Sequence, residues 1–270
     1  MHHLTPGVSQ AALPPVGREC SGRQRRHTVS AHDHYRSNGA RRQRHALPHT
    51  RTESRTPEAV EGDFDFGRVI DGKLHSQPVW RLITASARAA EGVASLFGVE
   101  PQRRPVNGSE QLEVVSQEAG LQVAIDGPES LTTQMKSWDS RGLAHHCDGR
   151  VFLSPASRAR RSCGCPSLME ERKARARLGH GPQPITTLLL RLTGGPDLGL
   201  FRFRSSSWRF AETVEEIRTQ LADLRGPSLC DLAVEAVEFT TSNGRSVCYQ
   251  KPAVRVLGPW TPGTPAGLDT

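Results

Sequence analysis

The chain has 270 residues, a net charge of +7, 36% hydrophobic residues and six cysteines. Such a length supports one sizeable domain or two small ones with a core that needs no covalent staples, and no stretch approaches the roughly 18 consecutive apolar residues of a membrane span. A signal-peptide pattern is also missing from the start, so the expected setting is a reducing cytoplasm with no membrane partner, where clustered cysteines bind metal or do chemistry more often than they pair.

The charge is unevenly placed. Residues 1–60 hold 10 Arg, 4 acidic residues, seven of the eleven His and one aromatic, Tyr35; residues 61–270 hold 25 basic and 24 acidic residues, a balance of +1. The first segment has too little apolar area to offset its chain entropy and reads as a disordered Arg/His-rich arm. Its runs suit nucleic acid, but the chain has only four Lys against 31 Arg, as a GC-rich genome gives, and an extension without a role fits the arm better. The near-neutral remainder shows no strong phosphate-binding balance.

From Phe64 the pattern becomes that of a folded α+β core, expected over residues 61–258 with a flexible tail at 259–270. "FGRVI" (66–70) and "PVWRLIT" (78–84) have strand character, and "SARAAEGVASLFG" (86–98) sets Ala89, Val93 and Leu96 on one helical face before a glycine stop. "QLEVV" (111–115) and "LQVAI" (121–125) alternate like paired strands joined through Glu118, Ala119 and Gly120. The same grammar returns at the other end. "ITTLLLRLT" (185–193) and "GLFRFRS" (199–205) flank a turn. "WRFAETVEEIRTQLADL" (208–224) spaces Phe210, Val214, Ile217, Leu221 and Leu224 as an amphipathic helix, and "SNGR" (242–245) suits a tight hairpin turn at Asn243-Gly244. Two ββαββ-like halves are expected, flanking a Cys-rich insert at about 140–183.

The insert carries the chemistry. "HHCDGRVFLSPASRARRSCGCP" (145–166) holds Cys147, Cys163 and Cys165 beside a histidine pair. A tetrahedral Zn2+ site needs four such ligands, and the spacing fits either plain buried thiols or a structural zinc on three Cys and one His, the zinc being the expected cofactor. The fourth ligand is open among His145, His146 and His180. His146 adjoins Cys147, and neighbours are awkward ligands for one ion. His180 follows the short helix of "SLMEERKARARL" (167–178), which can carry the chain back over the metal, and it is favoured. Cys230 and Cys248 lie in predicted strands and read as small core residues.

"CDG", then "CGCP", a Glu/Arg-rich helix, "PQPITTLLLRL" and "GLFRFRSSSWRFAETV" resemble the recombination directionality factor-like proteins of actinobacteria and their phages. The resemblance spans about residues 64–258, and "GRVIDGK" and "VWRLITAS" fit it too. Cys147, Asp148, Gly149, Cys163, Cys165, Pro184, Thr186, Gly199, Arg202 and Ser205 match the pattern. Phe201 stands where Trp is usual, and the third cysteine element falls at Pro182 without its thiol, a loss that His180 would compensate.

What the resemblance implies is a non-enzymatic regulator that binds a large serine integrase and turns it toward excision, meeting DNA only through the integrase complex. The expected partner contacts are Arg172 and Arg175 in the cationic stretch 158–177, and the hairpin at Asn243 and Gly244. Two other classes compete. A nucleic-acid-binding module of phage or plasmid replication would use the same cations. A metal-dependent hydrolase would need Asp148 or Glu170 as base, yet the chain lacks a His-Glu-x-x-His, Gly-x-Ser-x-Gly or phosphate-loop motif.

Overall fold

The computed structural model describes residues 58–66, 68–70, 73–75, 79–106, 109–241, 243–244 and 246–262. The expected arm lies almost wholly outside the described residues, as does most of the expected tail. The described residues divide into two units, 58–237 with 249–262 in one and 238–248 in the other.

The elements in order are β1 (Val60–Asp65), β2 (Arg68–Ile70), β3 (Lys73–His75), β4 (Arg81–Thr84), α1 (Ala87–Phe97), β5 (Gln102–Val106), β6 (Ser109–Val115), β7 (Gly120–Ile125), β8 (Leu131–Asp139), β9 (Gly142–Cys147), β10 (Phe152–Ser154), α2 (Met169–Arg177), β11 (Gln183–Leu192), β12 (Leu200–Ser205), α3 (Trp208–Leu224), β13 (Ser228–Thr240) and β14 (Ser246–Pro259). The α+β class is as expected, and each half places a helix after a strand pair: α1 after β1 and β4, α3 after β11 and β12. One mixed sheet runs β10-β9-β8-β11-β12-β1-β4-β6-β5. At its centre β1 and β12 pair in parallel, with Phe64 opposite Phe203.

Strand β11 is long enough to serve two neighbours on one edge. Gln183–Leu188 pairs with β8, and Arg191 and Leu192 pair with β7, which passes on to β13 and then β14. This corrects one expectation: "QLEVV" and "LQVAI" do not pair with each other. β6 pairs with β4 and β5, and β7 leaves for β11 and β13. The Ser116–Ala119 link is fixed separately, since Trp80 Nε1 donates to Ala119 O at 3.1 Å and Ser116 Oγ donates to Glu118 O at 2.8 Å.

Burial explains the pairing. Along β11 every second residue from Pro184 to Leu192 is buried, the period of two that places one face of a strand on a core. Phe64, Trp80, Phe201, Phe203 and Phe210 pack there, with Trp80 and Phe203 at 5.1 Å and Phe203 and Phe210 at 6.1 Å between centroids. Ser207 caps α3 by accepting from Phe210 N, and Phe210, Val214, Ile217 and Leu221 face inward as expected, with Leu224 half-buried. Helix α1 presents Ala89, Ala90, Val93 and Ala94, and Leu96 stays 43% exposed. Small residues let that helix approach the sheet closely, so its buried face lies toward the alanines.

Candidate metal centre

The Cys-rich insert is an extension of the sheet. Strand β9 pairs with β8, matching Met135 to Cys147, Lys136 to His146 and Ser137 to His145, and β10 pairs with β9. Alternation along β9 then decides which histidine can act: His145 and Cys147 are two apart and share a face, while His146 takes the other. His146 is engaged there, with Nδ1 at 2.8 Å from Ser154 Oγ and Nε2 at 3.0 Å from Gln134 Oε1.

A turn brings the other two thiols back. Asp148 Oδ1 accepts from Arg150 N and Val151 N, both at 2.8 Å, and Gly149 N donates to Cys147 Sγ at 3.3 Å. The returning chain is fastened by Cys163 N to Arg150 O at 3.0 Å and Phe152 N to Arg161 O at 2.9 Å. As a result His145, Cys147, Cys163 and Cys165 each offer one ligand atom, all within 4.8 Å of one another. His145 Nε2 lies 3.1 Å from Cys147 Sγ and 3.5 Å from Cys165 Sγ, and the two sulfurs are 3.7 Å apart.

Those separations suit zinc. Zn–S of ~2.3 Å and Zn–N of ~2.0 Å in a tetrahedron put sulfurs about 3.8 Å apart and nitrogen about 3.5 Å from sulfur. The three cysteines lie together, and the donor beside them that would complete a tetrahedron is His145, not the favoured His180. His180 lines the same depression as the cluster, but it follows the end of α2, where its N–H donates to Arg175 O, and its ring is not in the group of four. The signal for His145 lay in the sequence: His-x-Cys on a strand puts both side chains on one face, within reach of one ion.

The surroundings are apolar. Met135, Cys147 and Phe152 form a small buried cluster against which Cys163, Cys165 and Trp208 pack. The His145 ring lies 4.9 Å from that of Phe152, and the Arg158 guanidinium lies 4.0 Å from the centroid of the same Phe152 ring. Burial pushes the Cys147 thiol well up, with the Gly149 N–H working against it, and burial also raises Cys165. Burial and then Arg158 lower His145. A divalent cation would supply the positive charge that holds such buried thiolates. Although burial raises it, Asp148 is held below the usual carboxylate range by the Val151 and Arg150 N–H groups, which fits a turn former and leaves it poorly suited as a base.

Arg172, an expected partner contact, also fastens the insert internally. It is half-buried, and its Nε donates to Pro166 O at 2.6 Å while Nη2 donates to Gly149 O at 3.1 Å and Ser167 O at 3.4 Å. It thus joins the Cys147 turn to the loop after Cys165. Arg175 is exposed on α2. In the unit containing residues 238–248, Gly244 has φ 76 and its N–H donates to Thr241 O at 2.9 Å, while Asn243 accepts from the Thr241 hydroxyl; both Asn243 and Gly244 are exposed. Glu170 is exposed in the first turn of α2. Cys230 is a buried core residue and Cys248 is half-buried.

A family model described as Gp3-like, recombination directionality factor-like, matches residues 50–256. No solved structure matches the chain.

Proposed function

Because the chain belongs to the recombination directionality factor-like family, we propose that it binds a large serine integrase and shifts it from integration toward excision without a reaction of its own. The match over residues 50–256 carries this reading. Its mechanism is tighter binding to one integrase arrangement than to another, since a ligand moves an equilibrium only by its differential affinity.

Two further observations support a binding role. Three Cys and one His leave no open position on a tetrahedral ion, the pattern of a structural zinc rather than one that activates water. Zinc held by His145, Cys147, Cys163 and Cys165 would fasten β9 to the returning loop and so hold a surface in place. Three of the seven cations at 158–177 are also engaged within the chain: Arg158 stacks on Phe152, Arg172 holds two loops, and Lys173 pairs with Glu212 at 3.3 Å. Each neutralised phosphate needs its own cation, so the nucleic-acid reading is left with Arg160, Arg161, Arg175 and Arg177.

Reconstituted recombination tests the proposal. With the cognate integrase, the protein should promote recombination between the left and right junction sites and inhibit it between the original pair. Charge reversal at Arg175 and Arg177, or replacement of the Asn243-Gly244 turn, should weaken both effects with folding intact. Tight, steeply salt-dependent binding to bare DNA with no effect on the integrase would favour the nucleic-acid module.

A further inference from the structure

Among the described residues, the two most exposed large apolar side chains belong to one short helix. Leu178 is 72% and Leu168 61% exposed, and they are the C-cap and N-cap residues of α2. An exposed leucine alone means little, but two that bracket a helix with no buried residue of its own call for a cause.

At roughly 100° per residue, Leu168, Glu171, Arg175 and Leu178 fall on one stripe with the i, i+3, i+7, i+10 spacing of a helix-packing seam. All four are exposed, whereas Met169, Arg172, Lys173 and Ala176 are half-buried. The half-buried side is tied down by the Arg172 hydrogen bonds and the Lys173–Glu212 pair. Glu171 and Arg175 form no ion pair among the described residues.

The order Leu-Glu-Arg-Leu reads the same when the helix is turned end for end and the charges are matched. About a point at Lys173, Leu168 exchanges with Leu178, and Glu171 with Arg175. We infer that α2 is a self-association element, and that two copies of this chain pack α2 against α2 antiparallel about a two-fold axis, with two Leu168–Leu178 contacts and two Glu171–Arg175 ion pairs. A two-fold interface must be self-complementary in this way, while a different partner imposes no such symmetry on one helix. The small exposed Ala174 beside the axis lets the helices approach. The seam is only about 15 Å long, well short of a standard stable interface, so the association is weak and concentration-dependent. It stands independently of the integrase reading.

Sedimentation equilibrium on the full chain tests it. The weight-average mass should rise with concentration from the 29.6 kDa monomer toward twice that value. Glu171→Arg or Arg175→Glu alone sets like charges face to face and should weaken association at least tenfold, and the Glu171→Arg/Arg175→Glu swap should restore it to within about threefold. Ala174→Arg, an exposed change at the crossing, should disrupt it independently, and melting curves should show every variant folded. A mass that stays monomeric to millimolar concentration overturns the inference, as does a charge swap that fails to rescue. If the chain stays monomeric while the single reversals impair recombination control, the stripe serves another protein and self-association is refuted.

Discussion

Gly149 is where a single methyl group tests the link between the cysteine turn and α2. Its φ is 95, and a Cβ there would lie 2.4 Å from Arg172 Nη1. Holding alanine in that backbone conformation costs about 1–2 kcal/mol. The guanidinium ends a flexible side chain and can swing away, so the clash is relieved at the expense of the hydrogen bonds to Pro166 O and Gly149 O. For a half-exposed cation those are worth about 2 kcal/mol together. Gly149→Ala should therefore cost about 3–4 kcal/mol and Arg172→Ala about 2. The double variant should cost no more than Gly149→Ala, because the clamp is already released, giving a coupling of about −2 kcal/mol. Urea unfolding followed by far-ultraviolet circular dichroism at fixed zinc concentration measures all three, with m unchanged. Additivity within about 0.5 kcal/mol would show that a methyl at 149 leaves Arg172 in place and would refute the reasoning.

Elemental analysis of reduced protein should find about one zinc per chain; Cys147→Ser or His145→Ala should lose most of it, and His180→Ala or His146→Ala should keep it. Phe203→Ala removes a ring packed against Phe66, Trp80 and Phe210 and should lower unfolding free energy by about 3–5 kcal/mol; a loss near 1 kcal/mol would mean that this core is loosely packed. Burial pushes the Cys230 thiol up to about 12. A raised folded value contributes stability that is complete below the unfolded thiol value of about 8.5 and is lost as pH rises through the folded one. Cys230→Ala should flatten the alkaline decline of stability, and native protein should resist alkylation at that position; rapid alkylation without unfolding would contradict its burial.

The sequence shows strong apolar periodicity wherever a helix or strand covers the core, and there the reading holds. α3 and β11 are its clearest cases, since Phe210 to Leu221 and Pro184 to Leu192 follow periods of 3.6 and two. β1 escaped notice because "VEGDFD" spends its inward positions on Gly62 and Phe64. A Cβ on Gly62 would meet Leu82 Cδ1 at 2.8 Å and Ile83 O at 2.9 Å, so the glycine is there for the close approach of β4 and adds no hydrophobic signal. The β6–β7 hairpin failed because a short polar link between two alternating strands looks local whichever way the chain goes next. Only the free edge of β11 beyond its β8 pairing shows where β7 belongs. His145 could have been read from alternation alone. Arg172 could not, because its partners are backbone carbonyls, which leave no trace in residue identity.

Cores of unequal size divide the labour in this fold. The large one, built on the central sheet with α1 and α3, includes Trp80, Phe203 and Leu221 and owes nothing to a metal. The small one buries only Met135, Cys147 and Phe152, too little apolar area to hold the 147–165 loop by itself at about 25 cal/mol per Å2. A structural ion held by His145, Cys147, Cys163 and Cys165 would supply that deficit locally. Helix α2 buries no residue of its own and takes its position largely from Arg172 and the Lys173–Glu212 pair. Losing the ion would loosen the carbonyls of Gly149, Pro166 and Ser167 that Arg172 grips, and with them the placement of the exposed stripe on α2. The sheet would remain. An ion bound at this centre would therefore govern the presentation of a surface more than the survival of the fold, which suits the proposed role in binding a partner.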